Sequence, residues 1–347
     1  MPSKKFKTGN SEIDKHILEL AELFAPSESY EVLRLEILTT VAKFFLEHND
    51  LGEYKLINTT LKELRHAFRV FNSYRDVRKV VIFGSNRSQT SDPCYKLAYE
   101  LSKLIADGGM MVITGAGYGI MEAANKGAGK QNSFGINIKL PCEQKPNQFI
   151  DGDPKLMEFK YFFTRKLIFI KESDATVLLP GGFGTLDEGF ENLTLFQTGK
   201  SLPRPIILLE PKNGNYWNTW MNWVSSVLVK NKLISSDDIH LFQLKHSSKE
   251  AYRAIHDFYR VYHSLRYCKG LTILRFTQPI SKKIIDRLNV EFEDIVTEGT
   301  IYSSSPSQEE IQSHDKTLKM PRLIFKFDKQ SFGRLNQMIR NINEWVD

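Results

Sequence analysis

Hydrophobic positions change their spacing twice along this chain. Between residues 11 and 71 they recur at helical intervals, first as Ile13, Ile17, Leu18, Leu20 and Leu23, then as Leu33, Ile37, Val41, Phe44 and Phe45. That stretch predicts helices and shows no residues suited to chemistry. From Arg78 onward short apolar runs at 80–83, 110–114, 134–138, 175–179 and 206–209 alternate with amphipathic stretches at 95–106, 120–128, 164–171 and 186–198. Strand-length runs alternating with helices predict a doubly wound parallel sheet. A Trp-rich segment at 216–229 and a helix from Ser248 to about Leu265 are expected to close it. After Lys269 the order becomes strand 271–276, helix 281–288, strand 295–303, a polar loop 303–319, strand 323–327 and helix 332–345. This βαββα order predicts a small α+β unit of ferredoxin-like type, its Ser-, Glu- and Gln-rich loop expected to be mobile. There is no internal repeat. The predicted fold class is therefore α/β, a Rossmann-like sheet with a helical N-terminal segment (1–75), a central domain (76–267) and a small C-terminal domain (268–347).

Composition narrows the function classes. The chain has 347 residues, 25% of them charged and 41% hydrophobic, which excludes disorder and fibrous structure. No apolar run reaches the roughly 18 residues of a membrane span, and Lys4, Lys5 and Lys7 are followed by polar residues rather than a signal peptide's apolar stretch. A cytoplasmic protein without a membrane partner is expected. Cys94, Cys142 and Cys268 are far apart, and the eight histidines form no ligand pair such as HExxH, so neither disulfides nor a metal site is expected. The net charge is +6, with 11 basic and 11 acidic residues in 1–75 against 23 and 19 in 76–265. A mild excess in the middle suits a pocket for a small anion better than a nucleic-acid stripe, and no nucleic-acid partner is expected.

Open α/β sheets bind ligands beyond the carboxyl ends of their strands. Three of those ends carry Gly84-Ser85-Asn86-Arg87-Ser88, Gly115-Ala116-Gly117-Tyr118-Gly119-Ile120-Met121-Glu122, and Pro180-Gly181-Gly182-Phe183-Gly184-Thr185-Leu186-Asp187-Glu188. Glycine lets backbone approach a ligand, and exposed amides at a helix start attract phosphate. Gly84, Ser85, Gly117, Gly181, Gly182, Gly184 and Thr185 are the candidate phosphate and ribose contacts. The dinucleotide fingerprint is absent, because the first loop has one glycine and the second reads GxGxG; no Walker A sequence occurs. No cofactor is expected.

The run from Pro180 to Glu188 matches PGGxGTxxE, and Phe163-Thr164-Arg165-Lys166 supplies an arginine-lysine pair upstream of it. On these motifs the segment from about Arg78 to Leu209 resembles the Lonely Guy (LOG) family, in its longer bacterial form, whose members are often labelled lysine decarboxylase-like. The resemblance implies a phosphoribohydrolase that splits a nucleoside 5′-monophosphate such as AMP into free base and ribose 5-phosphate, and a homodimer or higher homo-oligomer. It implies Arg165 and Glu188 as the catalytic pair, with Glu188 stabilising an oxocarbenium-like transition state. The decarboxylase label fails chemically, since no motif supplies a Schiff-base lysine. The extra terminal segments favour general nucleotide turnover over a cytokinin substrate. A nucleotide- or cofactor-binding carrier or sensor on the same fold is the competing reading.

Bland explanations stand beside these assignments. Thr185 and Glu188 form T-x-x-E, a capping box that would start a helix without any catalysis. If Thr164 caps a helix, Arg165 and Lys166 sit in its first turn, where the dipole disfavours cations unless an anion lies above them. Lys166 could be a solvated neighbour, Glu122 an ordinary first-turn acid rather than a ribose contact, and Ser85 a turn residue. Tyr161, Phe162 and Phe163 suit a core strand as well as a stacking platform for a base.

Overall fold

The structure, a computed structural model, describes residues 7–24, 30–141, 145–312 and 317–346. Cys142, Lys4 and Lys5 lie outside them. The chain divides into two compact units, Met1–Lys62 and Glu63–Asp347. The first contains α1 (Ser11–Leu23), α2 (Glu31–Glu47) and the start of α3 (Leu51–Asn72). Asn10 caps α1 by accepting from the amides of Glu12 and Ile13.

The second unit opens with an alternation of parallel strands and helices. In chain order these are β1 (Lys79–Phe83), α4 (Pro93–Asp107), β2 (Met111–Thr114), α5 (Ile120–Ala128), β3 (Ser133–Ile138), β4 (Leu156–Phe159) and α6 (Phe162–Lys171). They continue with β5 (Ala175–Leu178), α7 (Phe183–Gln197), β6 (Ile206–Leu209), α8 (Tyr216–Trp223), β7 (Gln243–Lys245) and α9 (Ser248–Phe258). Seven strands pair in parallel in the order β4-β3-β2-β1-β5-β6-β7. Strand side chains alternate between two buried layers. Val80 and Ile82 meet Leu101, Ala123 and Ile255 on one face, while Val81 and Phe83 join Phe71, Phe169 and Phe196 on the other. A sheet covered on both faces has no solvated side, which is why its strands read as unbroken apolar runs. The strand order reverses direction between β1 and β5, so a crevice opens at their carboxyl ends.

A second sheet is antiparallel, built from β8 (Tyr262–Cys268), β9 (Leu271–Phe276), β10 (Val296–Ser303) and β11 (Arg322–Phe327) in the order β10-β11-β9-β8, with α10 (Lys282–Glu291), α11 (Gln308–Gln312) and α12 (Phe332–Trp345). The expected βαββα is β9-α10-β10-β11-α12, and β8 fills the fourth strand place from the upstream side of the chain. Its hydrophobic residues are continuous with one face of the parallel sheet, through Phe258, Val261, Leu335 and Met338.

Three expectations need correction. The helix from Ser248 ends at Phe258 rather than about Leu265, because β8 begins at Tyr262. Strands β4 and β7 were not foreseen, being four and three residues long. The polar loop at 303–319 is not simply mobile where it is described: it carries α11, whose Glu310 is fully buried. Glu310 accepts from Arg322 Nη1 at 2.7 Å, Arg275 Nη2 at 2.6 Å and the Ser307 amide at 3.0 Å. Burying three charges is tolerable only because each answers another. Glu310→Ala would strand two guanidiniums, so we expect a loss of about 3 kcal/mol or more in chemical denaturation; a change below about 1 kcal/mol would show that water replaces the carboxylate.

Candidate active site

The crevice between β1 and β5 is a cleft of about 800 Å³, lined by Gly84, Ser85, Arg87, Arg165 and the run Gly181 to Glu188, with Met121, Ile138, Leu140 and Phe162 as apolar wall. Its loops fit together through missing side chains. A Cβ on Gly84 would lie 2.7 Å from Ile120, and one on Gly119, where φ is +64°, would lie 2.4 Å from the Ser85 carbonyl. The Ile120 amide donates to that carbonyl at 3.0 Å, and the Ser85 amide donates to the Pro180 carbonyl at 3.1 Å. Ser85 lines the cleft and is also a turn residue, its Oγ accepting from the Arg87 amide at 3.1 Å.

Behind the second loop is a buried polar network. Asn147 Nδ2 donates to the carbonyls of Ala116 (3.1 Å) and Gly117 (2.9 Å) and to Asn125 Oδ1 (2.9 Å). It holds Ala116 at φ +62°, a conformation costly for a residue with a Cβ. Asn147 sits in a loop between strands, where no pattern singles it out. The Gly117 carbonyl is engaged by this network, and neither Gly117 nor Glu122 lines the cleft. Glu122 lies in the first turn of α5.

The glycine run opens α7. Gly182 is the N-cap, no side chain caps the helix, and Gly182 O accepts from the amides of Thr185 and Leu186. Phe183 and Gly184 line the cleft and are the first two helical residues, so their amides have no intrahelical acceptor. A Cβ at Gly182 or Gly184 would meet nothing within 4 Å, so neither glycine is needed for packing. Gly181 is different: a Cβ there would strike Thr185 Oγ1 at 2.2 Å. The capping-box reading of Thr185 and Glu188 is wrong, because α7 begins two residues before Thr185.

Glu188 is therefore free of backbone duty. It is 4% exposed, and its Oε2 is buried with no hydrogen-bond partner among the described residues. Burial pushes its pKa up to about 7, against the pull of Lys166 and Arg165. Arg165 donates from Nε to the Ile136 carbonyl at 2.9 Å, with its guanidinium 4.9 Å from the Phe169 ring centroid. Burial lowers its pKa to about 10, with Glu188 opposing, so it remains a cation at neutral pH. Space for it comes from Gly115, where a Cβ would lie 2.5 Å from Arg165 Nη2.

Helix α6 starts earlier than expected. Tyr161 is its N-cap, so Phe162 and Phe163 are helical rather than part of a core strand, and Thr164 does not cap. Instead Thr164 Oγ1 donates to Glu63 Oε2 at 2.5 Å, and the Lys160 amide donates to Glu63 Oε1 at 2.6 Å. A carboxylate from α3, a helix expected to carry no chemistry, thus fixes the end of α6 that presents Arg165. Lys166 is not a solvated neighbour. Its Nζ lies 2.8 Å from Glu191, 2.9 Å from Asp187 and 3.9 Å from Glu188, outside the cleft lining. Burial disfavours its charge, but hydrogen bonds to Glu191 and Asp187 outweigh that and hold its pKa above the usual lysine value. It acts on Glu188 by position.

Among the described residues no three His, Cys, Asp or Glu side chains form a metal-binding group, and no helix is long and apolar enough to cross a membrane.

Parts of the chain are similar to known proteins. A family model described as "Possible lysine decarboxylase" matches residues 121–255. A cytokinin riboside 5′-monophosphate phosphoribohydrolase of Arabidopsis thaliana is 33% identical over 175 residues, 50% of this chain and 78% of the relative. A protein of the same name from Mycobacterium tuberculosis is 30% identical over 126 residues, 36% of this chain and 66% of its own. Among solved structures, a molybdenum cofactor binding protein from Rippkaea orientalis aligns over 52% of this chain and 94% of its own, at 22% identity and a TM-score of 0.37.

The raised pKa of Glu188 makes a stability prediction. A carboxyl whose folded pKa lies above its unfolded value destabilises the fold progressively as pH rises from about 4.5 to about 7. Glu188→Gln should therefore melt above wild type at pH 8 and level with it near pH 4, read by thermal denaturation. A variant less stable than wild type at pH 8 would show that the carboxylate is stabilised in place.

Proposed function

Because this chain belongs to the Lonely Guy (LOG) family, we propose that it hydrolyses the N-glycosidic bond of nucleoside 5′-monophosphates, releasing free base and ribose 5-phosphate. The observation that carries the reading is the presence, in one cleft, of an uncapped helix start and a buried carboxylate with an unpartnered oxygen. The amides of Phe183 and Gly184, with the α7 dipole behind them, suit the 5′-phosphate. Gly84 and Ser85 lie along the ribose, and Glu188 faces the anomeric carbon. As the C1′–N bond breaks, the base leaves with the bonding pair and positive charge develops on the sugar, where a carboxylate in a dry site stabilises it most. Water then bonds to C1′ and gives its proton to Glu188, and that proton passes on to the departing base, which completes the free base and restores the carboxylate. Arg165 holds substrate and balances charge, while Lys166 keeps Glu188 from neutralising earlier as pH falls. Decarboxylation is not supported, since no lysine lines the cleft among the described residues to form a Schiff base with a pyridoxal cofactor.

Incubation with AMP, GMP, CMP and UMP, followed by chromatography, should yield free base. Adenosine should be a poor substrate because phosphate binding supplies energy used at the distant bond. Nucleotide binding without base release would favour a carrier or sensor. Glu188→Gln should bind AMP and lose at least about a hundredfold in kcat, whereas Thr185→Ala should retain most turnover. For wild type, kcat/KM should rise with pH through about 7, following ionisation of Glu188. A rate that falls over the same interval would mean that the protonated carboxyl is the working form.

A further inference from the structure

Outside the cleft the molecule buries a cation that forms no ion pair among the described residues. Arg204 is 5% exposed and lies two residues before β6. Its Nη1 donates to the Ile170 carbonyl at 3.0 Å, and its Nη2 to Ser173 Oγ at 2.5 Å and Thr176 Oγ1 at 3.2 Å. All three acceptors are neutral. Nε is buried with no partner, and among the described residues no carboxylate forms an ion pair with this guanidinium. The nearby Asp174 is committed to Arg78 at 3.2 Å and to the Lys79 amide at 2.8 Å. A buried cation without a counter-ion is costly, and the cost falls when an anion arrives.

There is room for one. Arg204 lines a cavity of about 590 Å³, within the range of small-molecule sites, whose walls include Leu167, Leu195, Leu202 and Tyr262. Ser201, also in the lining, has a buried hydroxyl with no partner. Of the other cations in the lining, Arg78 pairs with Asp174 and Lys171 with Glu172, so Arg204 and the exposed Lys200 supply the charge for an anion, while Asp174 and Glu191 in the same wall disfavour more than a single negative charge. The apolar residues suit a hydrocarbon body. The cavity also abuts the catalytic apparatus: Leu167 and Leu195 belong to α6 and α7, the helices that present Arg165 and Glu188. Glu191, in the wall, holds Lys166 at 2.8 Å, and Lys166 lies 3.9 Å from Glu188.

We propose that this cavity is an effector site for a small organic monoanion with an apolar body, a medium-chain or aryl carboxylate, and that its occupancy is communicated to the cleft through Glu191 and Lys166. Binding stands on the cavity alone, whereas the effect on rate rests on the hydrolase reading above.

Calorimetric titration with hexanoate, against hexan-1-ol as the neutral equivalent, tests the site. Hexanoate should bind at one site per chain, and hexanol at least about tenfold more weakly, as expected for loss of a charge-assisted contact. Arg204→Met should weaken hexanoate by a similar factor. Should that variant not fold, Leu202→Trp, at a position 53% exposed, fills the cavity mouth without disturbing the core and should abolish binding. Saturating hexanoate should change the rate of AMP hydrolysis at subsaturating AMP by about fivefold or more. Glu191→Gln, which removes a negative charge from the wall, should bind hexanoate at least as tightly as wild type and lose that response. No heat with hexanoate, equal binding of hexanol, or undiminished binding by Leu202→Trp would overturn the site; binding without a change in rate would overturn its regulatory role. A chain that hydrolyses no nucleotide would sink the hydrolase reading and leave the titration to decide the site.

Discussion

Everything around the cleft depends on keeping Glu188 buried and incompletely paired. A carboxylate in that position would rather be neutral, and its pKa near 7 records the conflict. Several distant features make the position tenable. Lys166 supplies positive charge without closing a hydrogen bond to the free oxygen, because Asp187 and Glu191 hold its ammonium at 2.9 and 2.8 Å. Arg165 supplies a second cation only because Gly115 leaves room for its guanidinium. The start of α6, which places both cations, is pinned by Glu63. Removing any one of these would let the carboxyl neutralise or find an ordinary partner.

The glycines around the cleft serve two different purposes. Gly84, Gly115, Gly119 and Gly181 are required by packing, since a methyl group at any of them would collide with a neighbour. Gly182 and Gly184 face open space. Packing alone would tolerate alanine at those two, and bare backbone at a helix start is the kind of surface an anion can approach closely. One glycine-rich sequence thus contains glycines that packing requires and glycines that it does not, and only geometry separates them.

The alternation of the parallel sheet was legible because strands covered on both faces are continuously apolar, and the three loops were legible because glycine clusters at their ends. What escaped has physical reasons. Strand β7 is too short, and β4, with Glu158 among its four residues, too mixed in polarity, for periodicity to register. Strand β8, with His263, Ser264 and Arg266 among its residues, reads as the end of an amphipathic helix. The T-x-x-E spacing suggested a cap where none exists, because Gly182 begins α7 before Thr185. Glu63 and Asn147 act across gaps of 101 and 31 residues, and no local pattern announces a partner that far away.

How the molecule treats its other buried charges argues that the two exceptions are functional. Lys79 is 4% exposed and donates to the carbonyls of Tyr74 and Val77 at 2.7 and 2.8 Å. Lys155 pairs with Asp153 at 2.8 Å, and Glu210 accepts from the Trp217 amide at 3.0 Å. Glu310 answers two arginines. Each of these sites spends its hydrogen-bonding capacity within the fold, as buried polar groups generally must. Glu188 keeps an unpartnered oxygen, and Arg204 keeps an unpartnered Nε. Those two line cavities of about 800 and 590 Å³, large enough to admit the missing partner. A fold that satisfies its structural charges so consistently has the means to satisfy these as well, and leaving them open beside empty space is the arrangement expected where the partner is a ligand.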